Sequence, residues 1–214
     1  MRFKLVAFGM LVLFSSGLFL NSGCETEAWT SLFNGRDLTG WVVMGEKKQA
    51  FFVEDGVIKC DGSGGGWLRS EKEYGNFILD LEYKVEPGSN SGIFLRCARE
   101  GDPPYTGFEV QILDTYGKKA GLHTAGAIYD VIIPSKEMSK PAGEWNKITI
   151  TCNGHLVDVV LNGEKIIDAD FSKLTEPIGK FSTPYAELPL KGYIGFQDHE
   201  DVVYFRNIKI LELP

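Results

Sequence analysis

Acidic and amide side chains alternate with apolar ones in segment 108–114, FEVQILD. In an extended strand, Val110 and Ile112 would point to one side of the sheet, and Glu109 and Gln111 to the other. A carboxyl beside an amide on a solvent-facing side can transfer protons and hold sugar hydroxyls. We therefore expect the apolar side to face a core and the polar side to face a groove.

Two more segments alternate in the same way. In 92–96 (GIFLR), Ile93 and Leu95 share the core side, so we expect Arg96 to meet Glu109 across the groove. In 192–199 the groove side would carry Tyr193, Gly195, Gln197 and His199. A sheet with one solvated side gives this pattern without any function, but its recurrence in three segments favours a binding site.

Metal and nucleophile motifs are weak. His123, His155 and His199 lie far apart, with neither H-x-H nor H-x-x-x-H spacing, so no metal ligands are predicted and no cofactor is identified. There is no G-x-S-x-G motif, and the glycine run at 62–66 lacks the Lys-Ser/Thr of a phosphate loop. Assistance by a divalent ion stays open as an alternative.

The N-terminal residues have the pattern of an export signal. Arg2 and Lys4 precede an uncharged run, and small residues precede Cys24. This resembles a bacterial lipobox, although Asn21 stands where an aliphatic residue is usual. We expect residues 1–23 to be a lipoprotein signal peptide, Cys24 to be lipidated, and 24–28 to be a short linker. The protein would then be exported and lipid-anchored on the periplasmic or cell-surface side of a bacterial envelope membrane; ordinary soluble export is the alternative.

Charge and cysteine content limit the partners. A net charge of −7 argues against nucleic acid and against anionic membrane surface, because both favour dense Lys/Arg patches. Contact with a membrane would come from the lipid anchor alone. Three cysteines, at 60, 97 and 152, lie in strand-like apolar segments, so we expect buried small hydrophobic residues rather than one disulfide and a spare thiol.

The elements that position these residues are short strands. Period-2 alternation predicts strands over 77–85, 93–97, 108–113, 146–152, 156–161 and 202–213. Asn-Gly pairs at 153–154 and 162–163 predict hairpin turns. So many short strands predict two antiparallel sheets packed face to face, an all-β jelly-roll sandwich over residues 29–214.

Several stretches together resemble the 3-keto-disaccharide hydrolase family, which has a concanavalin A-like lectin/glucanase sandwich. The resemblance covers nearly the whole of 29–214. The stretches are SLFNGRDLTGW (31–41), VEDGVIKCDGSGGGWLRSEKEYGNFILDLEYK (53–84), GSNSGIFLR (88–96), GFEVQILD (107–114), AIYD (127–130), PAGEWNKITI (141–150), LNGE (161–164), GYIGFQDH (192–199) and VYFRNIKI (203–210).

The resemblance implies cleavage of glucosides that are already oxidised to a ketone at C3. The ketone acidifies the C2 proton, so a base can remove it, the enolate can expel the C1 substituent, and water can add back. We assign proton transfer to Glu109, Asp114 and His199. Substrate binding is assigned to Arg96, Gln111, Gln197, Asn90, Trp67 and Tyr129. Family members often have glycine after the histidine, where this chain has Glu200.

Two rival hypotheses remain. Glu109-x-Gln111-x-x-Asp114 resembles the acidic strand of sandwich-fold glucanases, but residues five apart share a side only if a bulge intervenes. A retaining glycosidase needs its two carboxyls about 5 Å apart, so an unbulged strand would exclude that mechanism. A non-catalytic carbohydrate-binding module is the other alternative, since the fold alone does not decide function.

Overall fold

The computed structural model describes residues 28–214, so the predicted signal peptide and Cys24 lie outside the described residues. Helix is confined to three short turns, Pro103–Thr106, Phe171–Lys173 and Tyr185–Glu187. None of these described helices is long and apolar enough to span a membrane.

The strands are β1 (Thr30–Ser31), β2 (Trp41–Met44), β3 (Phe51–Glu54), β4 (Val57–Asp61), β5 (Gly66–Tyr74), β6 (Phe77–Val85), β7 (Asn90–Cys97), β8 (Phe108–Leu113), β9 (Asn146–Asn153), β10 (Leu156–Leu161), β11 (Glu164–Asp170), β12 (Gly192–Asp198) and β13 (Val202–Glu212).

The strands form two antiparallel sheets, as the sequence predicts. The large sheet has eight strands in the order β11-β10-β9-β6-β13-β4-β3, with β1 beside β13. The small sheet has five strands in the order β2-β5-β12-β7-β8. The apolar sides of both sheets contribute to one core, which is the concanavalin A-like jelly-roll sandwich expected from the sequence.

Aromatic rings join the two sheets at their centre. Phe196 of the small sheet stacks on Phe205 of the large sheet, with ring centroids 4.2 Å apart. Trp41 of β2 stacks near the same ring at 5.2 Å. Since Phe196 is fully buried, its truncation to alanine should cost about 3–5 kcal/mol of stability.

Both predicted Asn-Gly hairpins are present. Between β10 and β11 the turn residues are Asn162 and Gly163, with φ of 51° and 90°, as a type I′ turn requires. Between β9 and β10 the pairing of Asn153 with Leu156 makes Gly154 and His155 the turn residues, one position later than the Asn-Gly pair. The predicted meander from 146 to 168 is therefore confirmed.

The cysteines behave as predicted. Cys60, Cys97 and Cys152 are all buried and free, so no disulfide staples the described domain. Burial raises the pKa of Cys60 to about 12, which keeps its thiol protonated at neutral pH.

Candidate active site

The outer side of the small sheet carries the candidate site, and we call it the groove face. Leu68, Ile93, Val110 and Phe196 point into the core between the sheets. Their neighbours in sequence point the other way, where Trp67, Phe94 and Cys97 form a separate apolar cluster with Met44 and Tyr193 packed against it. The predicted division into a core side and a groove side is confirmed for β8 and β12.

One row of paired residues crosses four strands of the groove face. Arg69 of β5 pairs with Gly195 of β12, Gly195 with Phe94 of β7, and Phe94 with Glu109 of β8. Because paired residues point to the same side, a guanidinium and a carboxyl stand at opposite ends of this row with an aromatic ring between them.

Glu109 is the central acid of the groove face. The residue is only 4% exposed, and its side chain makes no hydrogen bond or ion pair with any residue from 28 to 214. Burial, partly opposed by the nearby charge of Lys180, raises the pKa of Glu109 to about 8. A carboxyl with this pKa exchanges protons readily near neutral pH.

Several other buried polar atoms, near this carboxyl or across the sheet from it, also have no partner in the described part of the chain. Gln111 donates from Nε2 to Asn90 Oδ1 at 2.9 Å, but its Oε1 atom has no partner in the described part of the chain. The same holds for Gln197 Oε1, the Tyr185 hydroxyl, and Nε and Nη1 of Arg69. Buried polar groups normally have partners, so this concentration of free donors and acceptors is suited to a polar ligand.

Aromatic side chains shape the floor. The Trp67 and Phe94 rings meet edge to face, with centroids 5.8 Å apart. Trp67 lies against Gly195, where an added Cβ would overlap the indole. The Arg69 guanidinium stacks on the Tyr193 ring at 4.1 Å. Rings and planar cations of this kind suit the C–H faces of sugars.

The segment around Tyr129 forms one wall. It runs beside β8, with Val110 paired to Ile128 and the Tyr129 amide donating to the Glu109 carbonyl at 3.0 Å. Tyr129 therefore points to the same side as Glu109. Its ring stacks on His123, with centroids 4.9 Å apart, and Lys180 Nζ lies 4.6 Å from it.

The predicted position of Arg96 is wrong. Arg96 has a φ of +54° and lies at a bulge, because β12 pairs Tyr193 with Cys97 but Gly195 with Phe94. The bulge turns Cys97 to the groove face and Arg96 away from Glu109. The guanidinium donates to the carbonyl oxygens of Gly75 and Gly154, so Arg96 ties the ends of the two sheets together.

Asp114 is also not brought to Glu109. β8 pairs with β7 without a register shift from Phe108 to Leu113, so residues five apart along β8 point to opposite sides. The Asp114 carboxylate accepts from the Gly88 amide at 2.9 Å and stabilises the turn before β7. The carboxyl pair of a conventional retaining glycosidase is therefore not formed by these two residues.

His199 lies just beyond the end of β12 and is exposed. It makes no hydrogen bond or ion pair to any residue in the described range. The structure thus brings Gln111, Gln197, Asn90, Trp67 and Tyr129 to the groove face with Glu109, and leaves His199 at its edge.

Sequence reasoning missed two cations of the site. Arg69 was detectable, because it alternates with Trp67 around the core residue Leu68 in β5. Lys180 was not, because it lies in a loop without periodicity and reaches the site only through tertiary packing.

The described residues contain no group of three or more His, Cys, Asp or Glu side chains placed to hold a metal ion. His123 interacts with Asp130, and His155 and His199 lie in other parts of the fold.

Known proteins match the chain over most of its length. A family model described as a 3-keto-alpha-glucoside-1,2-lyase-like domain matches residues 28–211. A relative from Bacteroides thetaiotaomicron named 3-keto-disaccharide hydrolase is 30% identical, over 87% of this chain and 79% of the relative. A crystal structure assigned as a glycosyl hydrolase from Parabacteroides distasonis is 33% identical with a TM-score of 0.78, over 87% of this chain and 100% of that one. A second from the same organism is 32% identical with a TM-score of 0.75, over 88% and 95%. This chain belongs to the 3-keto-alpha-glucoside-1,2-lyase-like domain family.

Proposed function

We propose that this protein is a carbohydrate-active enzyme that cleaves 3-keto-glucosides, including 3-keto-disaccharides, by elimination and hydration. Glu109 removes the C2 proton, and the C2–H electron pair forms an enolate with the C3 carbonyl. The enolate then expels the C1 oxygen, which takes up a proton from solvent and leaves as the free alcohol, while Glu109 gives the C2 proton to solvent and is ionised again. Water adds its hydroxyl to C1 and a proton to C2, so the overall reaction is hydrolysis.

One observation carries this proposal. Among the described carboxyls on the groove face, Glu109 is the one that is buried and unpaired. The same face carries amides, a guanidinium and aromatic rings, and Asp114, the second acid that a conventional glycosidase would need, is turned away. Elimination next to a ketone needs one general base and a stabiliser for the enolate oxygen, not two matched carboxyls. The relative named 3-keto-disaccharide hydrolase supports the same substrate class.

Arg69 takes the role that the sequence assigned to Arg96. Its free Nε and Nη1 donors are buried on the groove face, and its charge is not paired with any described acid. A preorganised cation in a site of low dielectric stabilises an enolate oxygen well. Gln197, Gln111 and Asn90 supply hydrogen bonds for the sugar hydroxyls, and Trp67 and Tyr129 supply ring faces.

The test compares a chromogenic glucoside with its 3-keto derivative, each with and without a chelator. The proposal predicts release of the aglycone from the keto compound alone, and Glu109→Gln should abolish it. Loss of activity with chelator would add a divalent ion to the mechanism. Binding of the keto compound without turnover, under conditions in which a related enzyme is active, would favour a non-catalytic binding module.

We also propose that the protein is an exported lipoprotein anchored through Cys24. The basic start, the apolar run and the small residues before Cys24 support this localisation. Fractionation of cells that express the full chain should place it with membranes, and Cys24→Ser should release it. Equal membrane association of both forms would contradict the anchor.

A further inference from the structure

We propose that Lys180 is a positioning residue that keeps Glu109 able to accept a proton, and that the Asp130 carboxylate holds Lys180 in place. This inference rests on the proposed role of Glu109 as the base. Neither Lys180 nor Asp130 contacts Glu109 directly, so both would act on the reaction through the field and the packing around the carboxyl.

Three rings fix the position of the Lys180 ammonium. Its Nζ atom lies 4.6 Å from the Tyr129 ring, 5.4 Å from the Tyr105 ring and 5.6 Å from the Phe181 ring. Such contacts attract a cation to the ring faces. Since Tyr129 is the residue paired with Glu109, the cage holds a positive charge beside the base while Lys180 forms no ion pair with a described acid.

Asp130 attaches the Lys180 turn to this wall. Ile178 pairs with Phe181 to close a tight turn, and the Lys180 amide donates to Asp130 Oδ2 at 2.9 Å. Gly179 packs so closely on the same carboxylate that a Cβ there would overlap it. The other oxygen, Oδ1, lies 3.2 Å from His123 Nε2. One carboxylate therefore joins three loop segments and sets where Lys180 stands.

The other groups that influence Glu109 do not favour its charge. Burial raises the pKa of Glu109 most, and Asp102, at the start of the short helix before β8, raises it further. Burial raises the pKa values of Cys97 and Tyr185, and the charge of Glu109 raises both further, so both stay neutral. Lys180 is the cation whose charge lowers the pKa of Glu109. Without it, the base would be protonated over a wider pH range.

The main experiment measures kcat/KM against pH for wild type, Lys180→Met and Lys180→Arg. Lys180→Met should move the acidic limb of the profile to higher pH by roughly half a unit to one unit. At pH 7 kcat/KM should therefore fall by roughly three- to tenfold, and it should recover at higher pH. Lys180→Arg should restore the wild-type profile. The control is Lys173→Met, which removes an exposed lysine that is paired with Asp170. If Lys180→Met folds and its profile superimposes on that of wild type, the inference is wrong.

Asp130 provides a second pair of variants. Asp130→Ala should loosen the turn and move the limb in the same direction as Lys180→Met. Asp130→Asn keeps an acceptor for the Lys180 amide and, like Asp, tolerates the φ of +61° at this position, so it should behave as wild type. If Asp130→Ala folds and the acidic limb of its pH profile does not move, Asp130 does not hold Lys180 in place.

A direct titration separates this inference from the proposed function. The Glu109 carboxyl signal in carbon-13 NMR spectra should titrate at higher pH in Lys180→Met than in wild type, whether or not the protein turns over any substrate. If the Glu109 titration shifts but no substrate is turned over, the proposed function is wrong and the effect of Lys180 on Glu109 is confirmed. If substrate is turned over but the titration does not shift, the proposed function stands and the role of Lys180 is wrong.

Discussion

The Glu109 side chain lies over Gly92, its diagonal neighbour on the adjacent strand β7. A Cβ at Gly92 would overlap the Glu109 carboxyl oxygen Oε1. Glycine at this position therefore lets the acid lie down on the sheet, and this is how an acidic side chain on the outer side becomes buried. The position of the proposed base therefore depends on the absence of a side chain at Gly92 on the adjacent strand.

Gly92→Ala should displace Glu109 and lower kcat by about 10²-fold, because a misplaced base loses the proton-transfer geometry. Steady-state kinetics with a 3-keto-glucoside would measure this. The matched control is Gly75→Ala, since a Cβ at Gly75 would make only an ordinary contact, 3.8 Å from the Leu190 carbonyl oxygen, and the position lies outside the left-handed region of φ. Near-wild-type kcat in folded Gly92→Ala would contradict the placement of Glu109.

The reaction should speed up as pH rises towards about 8, the pKa of Glu109 in the fold. Only the ionised carboxylate accepts a proton, so below this pH kcat/KM should fall about tenfold per unit. A profile in which activity falls as pH rises from 6 to 8 would instead assign Glu109 the role of an acid.

Glu109→Gln should be more stable than wild type at pH 8 and nearly equal to it at pH 4. The pKa of Glu109 is raised from 4.5 to about 8, so the fold holds it neutral where the unfolded chain ionises it. Its contribution to stability is complete below pH 4.5 and is lost as pH rises through 8. The difference should reach the order of a few kcal/mol at pH 8. Thermal unfolding of both proteins over this pH range would measure it, and parallel curves would contradict the burial of a neutral acid.

Substitution of Arg96 should lower stability, whereas substitution of Arg69 should lower catalytic activity. Arg96→Met removes a buried guanidinium that donates to two carbonyls, so it should cost about 2–4 kcal/mol of stability. Arg69→Met should leave stability nearly unchanged, because two of its donors have no partner, but should lower kcat by at least 10²-fold. The free energy of unfolding and kcat of both variants test this. If Arg96→Met instead lowered kcat at unchanged stability, and Arg69→Met lowered stability at unchanged kcat, Arg96 and not Arg69 would belong to the site.

The sequence predicted the strands of the site because each side of the sandwich demands period-2 alternation. Glu109, Gln111 and Gln197 follow that rule, and the structure places all three on the groove face. Arg96 departs from the alternation because it lies at a bulge. A bulge with positive φ at a residue other than glycine cannot be recognised from the composition or the periodicity of the sequence. Asp114 was misjudged because β8 has no bulge that would turn it towards Glu109, and its carboxylate accepts from the Gly88 amide just beyond the end of the strand.

The parts of the site that the period-2 pattern could not predict lie in loops. Lys180 and Asp130 lie 50 residues apart in sequence and meet only because the 178–181 turn packs on the wall beside β8. Local propensity carries no information about such a contact. Tyr129 was identified through the family resemblance alone, and its position beside Glu109 comes from a single bridge between Val110 and Ile128.

The most direct test of the account runs the reaction in deuterium oxide and examines the first product formed. Elimination breaks the C2–H bond in every turnover and hydration returns a proton from solvent, so the released 3-keto sugar should carry deuterium at C2 from the start. Product incubated with Glu109→Gln and with buffer alone corrects for spontaneous exchange. A product that keeps its original hydrogen at C2 while the aglycone is released would show direct displacement at C1 and contradict the proposed mechanism.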